Sequence, residues 1–340
     1  MPRPAMTSAI DKSSGRAQLV LALCGLGLVT IFVARVGVSA VLRQLAQLGP
    51  AATLILVPYA LGTSIGALPW ARLLPEAERP SLLGTIASRF AASGANALLP
   101  VFGLAGEPSR LLWLPSEARA RGVAAIVLDR VLYNGASALL LLLSAVVSLT
   151  TRLSGTLRAA LALIAAATLL VTFGGAWFVA RAGVGERLSR LLRKRLGSAY
   201  GEHQFGAEVD AAVQRTLQRE HETLASGLLL HFLGRGVQAA ETYVVLRSLH
   251  TQSTLAEALV LATAPIASAF FASSIPSQLG VQEGVLMFTC QALGLSPALG
   301  LTLALLTRLR QLVFVPFTPL LLAFAKPGPQ VCVSSHRANS

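Results

Sequence analysis

"ANALLPVFGLAGEPSR", residues 95–110, breaks into a chain that otherwise reads as one apolar helix after another. An Asn, two Pro, two Gly, a Glu and an Arg stand here directly beside an apolar stretch. A second run, "SSIPSQLGVQEG" at 273–284, repeats the order: a Pro, a Gly a few residues on, then Gly and Glu together. Non-helical backbone is tolerated at membrane depth only where protein or water satisfies its polar groups. Pro100 with Gly103 and Gly106, and Pro276 with Gly280 and Gly284, suit two places where a helix stops at depth and the chain turns back. The two runs are therefore read as re-entrant elements over 82–118 and 255–295.

The composition supports a membrane setting. Apolar residues make up 54% of 340 and charged residues only 13%, about half the charged share of a soluble protein. Runs near the ~20 residues that cross the hydrocarbon layer lie at 17–38, 51–69, 123–149, 157–180, 224–246 and 300–325. Two more, 82–103 and 255–275, lead into the odd motifs. The first run ends in "VSA" at 38–40, a possible cleavage site, but its apolar core is long for a signal peptide and further spans follow. The fold expected is all-α and polytopic, with six full spans and two re-entrant hairpins.

Charge assigns the sides. If every apolar run crossed, the loop 181–223, with its eight Arg and Lys, would face outward, against the positive-inside tendency. Two dips bring that loop and both termini into the cytoplasm and leave Arg43, Arg152, Arg158 and Arg247 outside. The chain then divides into a tail 1–16, a repeat 17–149, an inverted repeat 157–325 and a tail 326–340. Inverted repeats with broken helices commonly place a transport site near the midplane. The basic stretch "GERLSRLLRKRLG" at 185–197 is read as a cytoplasmic anchor.

Ionisable residues inside spans are costly and are functional candidates by default. Arg130, Asn134, Ser137 and Ser144 recur at helical spacing, as do His231, Arg235, Gln238 and Thr242 with Glu241 at the edge, and as do Arg89, Ser93 and Asn96. Such spacing lines one helix face. Six cations, Arg89, Arg110, Arg130, Arg235, Arg308 and Arg310, face four carboxylates, Glu107, Asp129, Glu241 and Glu283. Mutual ion pairing accounts for part of the set. The surplus calls for water or an anionic head-group. Cys24, Cys290 and Cys332 are scattered, and no Cys/His spacing suits a metal. No metal, other cofactor or nucleic-acid partner is expected, since the net charge of +13 is what loop orientation requires.

"RFAASGANALLPVFGLAGEPSRLL", then "LDRVLYN", then "IPSQLGVQEG" with "LLTRLRQL" resemble the lysylphosphatidylglycerol synthase transmembrane family, the flippase-like membrane domain, over roughly 17–325. "LGVQEG" with the Arg-rich final span also looks like its hopanoid-associated branch. The resemblance implies two re-entrant elements and movement of a lipid or lipid-linked head-group across the bacterial inner membrane. Its motif residues fall here on Asn96, Pro100, Gly106, Glu107, Arg110, Asp129, Arg130, Pro276, Gly280, Glu283, Gly284 and Arg308. The full synthases append a soluble aminoacyl-transferase domain. This sequence stops soon after its last apolar run, so lipid-modifying chemistry is not expected of it. The alternatives are a non-catalytic scaffold for a lipid-biosynthetic enzyme and a membrane-embedded enzyme using Glu107 and Glu283. Membrane lipids are the expected partners.

Overall fold

Apolar runs rich in Leu and Ala favour the helix intrinsically, and a helix satisfies its own backbone where water is scarce. The computed structural model describes residues 55–98, 106–182, 203–249, 252–272, 280–314 and 316–323, with Arg43, Ala46, Gly49, Gly185 and Gln278. It is helical throughout, and no strand occurs among the described residues. In chain order the helices are α1 Leu56–Ile65, α2 Leu68–Arg72, α3 Leu82–Leu98, α4 Arg119–Val147, α5 Gly155–Ala182 and α6 His203–Arg219. There follow α7 His221–Ser248, α8 Leu255–Ala272, α9 Val281–Ala292, α10 Pro297–Phe314 and α11 Phe317–Ala323.

Helices α4, α5 and α7 have 29, 28 and 28 residues. At 1.5 Å per residue each runs ~42 Å, beyond the ~30 Å of hydrocarbon. By length and composition, Ser116–Thr150 and Gly155–Phe178 qualify as membrane spans. α7 has the length but carries His231, Arg235 and Glu241 in its middle. α5 is far less covered than α4: 6% of its apolar stretch is buried, against 56% for that of Ser116–Thr150. It leans on α4 and turns Leu163, Leu170, Trp177 and Phe178 outward. Near its end Arg181 lies over the Trp177 ring at 4.4 Å, the residue pairing expected where a helix leaves the bilayer.

Lipid tails are as apolar as leucine, so helix association in a membrane rests on close packing and polar contacts. α1 crosses α7 where Gly62 meets Gly234. A Cβ on Gly62 would stand 2.5 Å from the Gly234 carbonyl oxygen, and one on Gly234 would stand 2.7 Å from that of Gly62. Two apolar cores flank this region. Trp70, Leu74, Leu114, Leu128 and Val213 form one, against Leu224 and Leu228 at the start of α7. Leu261, Leu286, Leu293 and Leu303 form the other, around Val245 and Leu246 near its end. The polar turns of α7, from His231 to Glu241, fall between the two.

Several expectations are corrected. The run 51–69 is not one helix: α1 ends at Ile65, and α2 restarts with Pro69 in its first turn, where a missing N–H is harmless. The run 300–325 is likewise divided, α10 stopping at Phe314 and α11 starting just after Pro316, which cannot donate to a continuing helix. The loop 181–223, read as a basic polar connection, contains α6, whose Val209 and Val213 pack under α4. Apart from Gly185, the basic stretch 185–197 lies outside the described residues.

Candidate functional site

Between the two apolar cores lies a cavity of about 1100 Å³. α3 contributes Arg89 to its wall, α4 Arg130, α7 Arg235, and α10 both Arg308 and Arg310. The carboxylates that reach it are Glu107 and Glu241. Among the described residues the lining therefore carries five positive charges against two negative.

The first motif builds one end. Asn96, in the last turn of α3, accepts the Gly106 N–H at 2.7 Å. Gly106 lies so close to α3 that a Cβ would overlap the Ala92 carbonyl. Together they clamp the returning chain onto the helix it left. Glu107 then opens a 3-10 turn, Glu107–Trp113, with Pro108 in its first turn, where an α half-helix was expected. Side chains three apart eclipse in a 3-10 helix, so Arg110 folds back on Glu107, Nη1 donating to Oε2 at 3.0 Å. The same Nη1 donates to Asp129 Oδ2 at 2.8 Å. Arg110 is wholly buried, with its guanidinium 4.4 Å from the Trp70 ring centre.

Further cations converge on these two carboxylates. Arg130 donates to Glu107 Oε1. Arg89 lies 3.7 Å from Glu107 and 3.8 Å from Asp129. His231 Nε2 meets Asp129 Oδ1 at 2.8 Å. Charge-assisted bonds of this kind are the strong ones, and removing one partner strands the other in a dry site.

Tyr133 stands one turn beyond Arg130. Its ring has Arg89 at 5.6 Å, Arg130 at 5.4 Å and Arg235 at 4.7 Å, all within cation–π range. Its hydroxyl accepts a hydrogen bond from Arg235 Nη1. Arg235 forms no ion pair with a carboxylate among the described residues, and its Nε has no acceptor there.

The second motif builds the other end. Gly280 sits at φ +80°, in the left-handed region that favours glycine. Its N–H donates at 2.8 Å to Glu283 Oε2, three residues on, which caps the first turn of α9. Gly284 follows in that turn. The Glu283 carboxylate, fully buried, also takes Arg308 through Nε to Oε1 and through Nη2 to Oε2 at 3.2 Å. Arg308 Nη2 reaches the Gln278 carbonyl as well. Arg310 pairs with Glu241 and lies 4.7 Å from the Tyr59 ring centre.

Of the residues singled out from the sequence, Arg89, Asn96, Glu107 and Arg130 line the cavity, as do Arg235, Glu241, Arg308 and Arg310. Arg110, Asp129 and Glu283 do not: they are 0, 2 and 0% exposed and stand behind the wall. Each is enclosed by the side chains it pairs with, so their contact is with those partners rather than with the cavity. Pro100, Gly103 and Pro276 lie outside the described residues. Ser144 turns away and bonds Thr263 on α8 at 2.8 Å. Tyr59 and Tyr133 were missed, although Tyr133 lies three residues from Arg130 in "LDRVLYN" and so on the same face. Among the described residues no three His, Cys, Asp or Glu side chains gather as a metal needs.

An all-helical chain with membrane-length apolar helices, holding a cationic cavity between two apolar cores, defines an integral membrane protein. The chain belongs to the lysylphosphatidylglycerol synthase TM region family, whose model matches residues 17–317. This gives it a lipid-related membrane role. Neither the curated proteins nor the solved structures contain a match to it.

Proposed function

We propose that the protein is a lipid flippase or transporter, moving an anionic lipid, or a lipid-linked anionic group, across the bacterial inner membrane. The observation that carries this reading is the surplus of guanidinium on the cavity wall, five arginines against two carboxylates among the described residues, in a family of lipid-related membrane proteins. An anionic head-group completes that surplus without protein rearrangement. Arg235 is its first contact, because a phenol rather than a carboxylate occupies it. Glu107 and Glu241 hold Arg130 and Arg310 in place beside the cavity, so the wall is set before the head-group arrives.

Lateral access for the acyl chains is supported by α5. Thr168, Val171 and Gly175 on this helix border the cavity, while its other face is bare. The motifs at 95–110 and 273–284 act in this reading as re-entrant elements: α3 packs beside Glu107–Trp113, and α8 beside α9. Both termini are cytoplasmic, and the protein performs no covalent chemistry of its own. The test is reconstitution into vesicles with fluorescent phosphatidylglycerol, following the label reached by an impermeant quencher. Leaflet exchange above that of empty vesicles is expected. Exchange no faster than in empty vesicles, from a folded preparation, rejects transport and favours a scaffold.

A further inference from the structure

Resting on that reading, we infer that the cavity takes a head-group whose phosphate is its sole charge and whose remainder is uncharged and hydroxylated, and that it turns away head-groups bearing an ammonium. A protein compensates the charge of an ammonium with a free carboxylate or the open face of an aromatic ring.

Among the described residues the lining has two carboxylates, and both are taken. Glu107 receives Arg110 and Arg130, with Arg89 at 3.7 Å. Glu241 receives Arg310. The aromatic rings on the described lining are those of Tyr59 and Tyr133, and they are taken as well. Arg310 covers the first, and Arg89, Arg130 and Arg235 surround the second. An ammonium entering here meets guanidiniums at every site that would have welcomed it.

The polar wall that remains is neutral. Asn134, Gln282 and Gln311 line the cavity, and their side-chain amides make no hydrogen bond among the described residues. Gln238 reaches Thr63 only at 3.5 Å. A carboxamide both donates and accepts, as does a hydroxyl, so these side chains match a polyol placed beside the phosphate. Having no net charge, they offset none of the repulsion between a second cation and the guanidiniums around them. The family's name refers to an aminoacylated lipid whose head-group carries ammonium groups, and this cavity is built for its precursor type, a phosphate next to hydroxyls.

The test uses the purified full-length chain in detergent and follows thermal unfolding with three soluble probes: glycerol 1-phosphate, phosphoethanolamine and inorganic phosphate. Glycerol 1-phosphate is expected to stabilise at concentrations at least about tenfold lower than either of the others, the ratio that one good hydrogen-bonding group supplies. The double variant Asn134→Ala, Gln282→Ala is expected to lose the preference for glycerol 1-phosphate over inorganic phosphate. In vesicles, unlabelled phosphatidylglycerol should compete with the fluorescent lipid, and lysylphosphatidylglycerol should not. The vesicle arm needs no variant, so it decides the matter if the double variant fails to fold. Phosphoethanolamine or lysylphosphatidylglycerol binding as well as its glycerol counterpart overturns the inference and leaves the head-group site standing. Inorganic phosphate matching glycerol 1-phosphate overturns it in favour of a plain anion site. No stabilisation by any probe and no competition by any lipid removes the head-group site itself.

Discussion

Arg110 and Asp129 lie nineteen residues apart in sequence and meet through Nη1 and Oδ2 at 2.8 Å, both behind the cavity wall. Their contact ties the returning limb of the first motif to α4, and Asp129 passes the tie on to His231 of α7. They are positioning residues. Arg110→Met leaves Asp129 and Glu107 short of a buried partner, which costs about 3–5 kcal/mol. A fall in the midpoint of thermal unfolding on the order of 10 °C, with poor accumulation in the membrane, is the expected outcome. An unaltered melting curve would show that the tie is dispensable.

Arg130→Gln and Arg235→Gln should behave in the opposite way. Arg235 gives up a bond to the Tyr133 hydroxyl, and Glu107 keeps Arg110 and Arg89 when Arg130 is lost. Stability is retained in both variants, while lipid exchange falls at least tenfold, the usual worth of one charged hydrogen bond to a ligand. If both variants instead fail to accumulate, the two arginines serve the fold.

Glu283→Gln and Glu107→Gln separate charge from capping. Gln at 283 can still accept the Gly280 N–H, but its amide would then point donors at Arg308. A loss of about 2–3 kcal/mol is expected there, seen as a lower melting temperature. Glu107 caps nothing comparable and lies on the lining. Its neutralisation should lower stability, since Arg110 and Arg130 lose a partner, and should also alter transport; unchanged exchange kinetics would remove it from the site.

Gly106→Ala tests the close approach of the returning chain. The new methyl would meet backbone, the Ala92 carbonyl, rather than a movable side chain. Overpacking of this kind costs about 1–3 kcal/mol, and Asn96→Ala, which removes the acceptor for the Gly106 N–H, should cost a similar amount. Both should lower thermal stability, and their effects should be non-additive because one contact is shared.

The re-entrant topology is open to labelling. Ser116 and Ser154 are both exposed. Single cysteines at these positions, in a chain freed of Cys24, Cys290 and Cys332, should react with an impermeant reagent from the cytoplasmic and the outer side respectively. Reaction of position 116 from outside would mean that 82–118 crosses the membrane, and the inverted repeat would go with it.

Much of the site was legible because charge inside an apolar helix is rare and because helical spacing gathers it. The stripe of Arg130, Asn134 and Ser137 and the stripe from His231 to Glu241 do face the cavity. Spacing says nothing about depth, so Arg110 and Asp129 could not be told from lining residues. That distinction depends on Trp70, forty residues away, lying against the Arg110 guanidinium, and on His231 of α7 meeting Asp129. The 3-10 limb was missed for a related reason. Gly106 and Pro108 announce a break but not the pitch that follows, which the Glu107–Arg110 and Arg110–Asp129 bonds favour. Tyr133 carries no charge to mark it, and its place rests on the three guanidiniums that surround its ring.

The meeting of Gly62 with Gly234 has a mechanical consequence. Most helix pairs mesh side chain into groove, so one cannot roll on the other without unlocking teeth. Here two backbones touch directly at the two glycines, with the Gln238 side chain lying alongside Gly62, and the contact falls at the middle of α7, fourteen residues from its last residue, Ser248. Each arm is thus ~20 Å long, and a rocking of about 5° about this smooth bearing displaces each tip by ~2 Å in opposite directions. Arg235, one residue from the pivot, would scarcely move. Such a rocking would narrow one end of the cavity as it widened the other, while the cation that greets the cargo stayed in place.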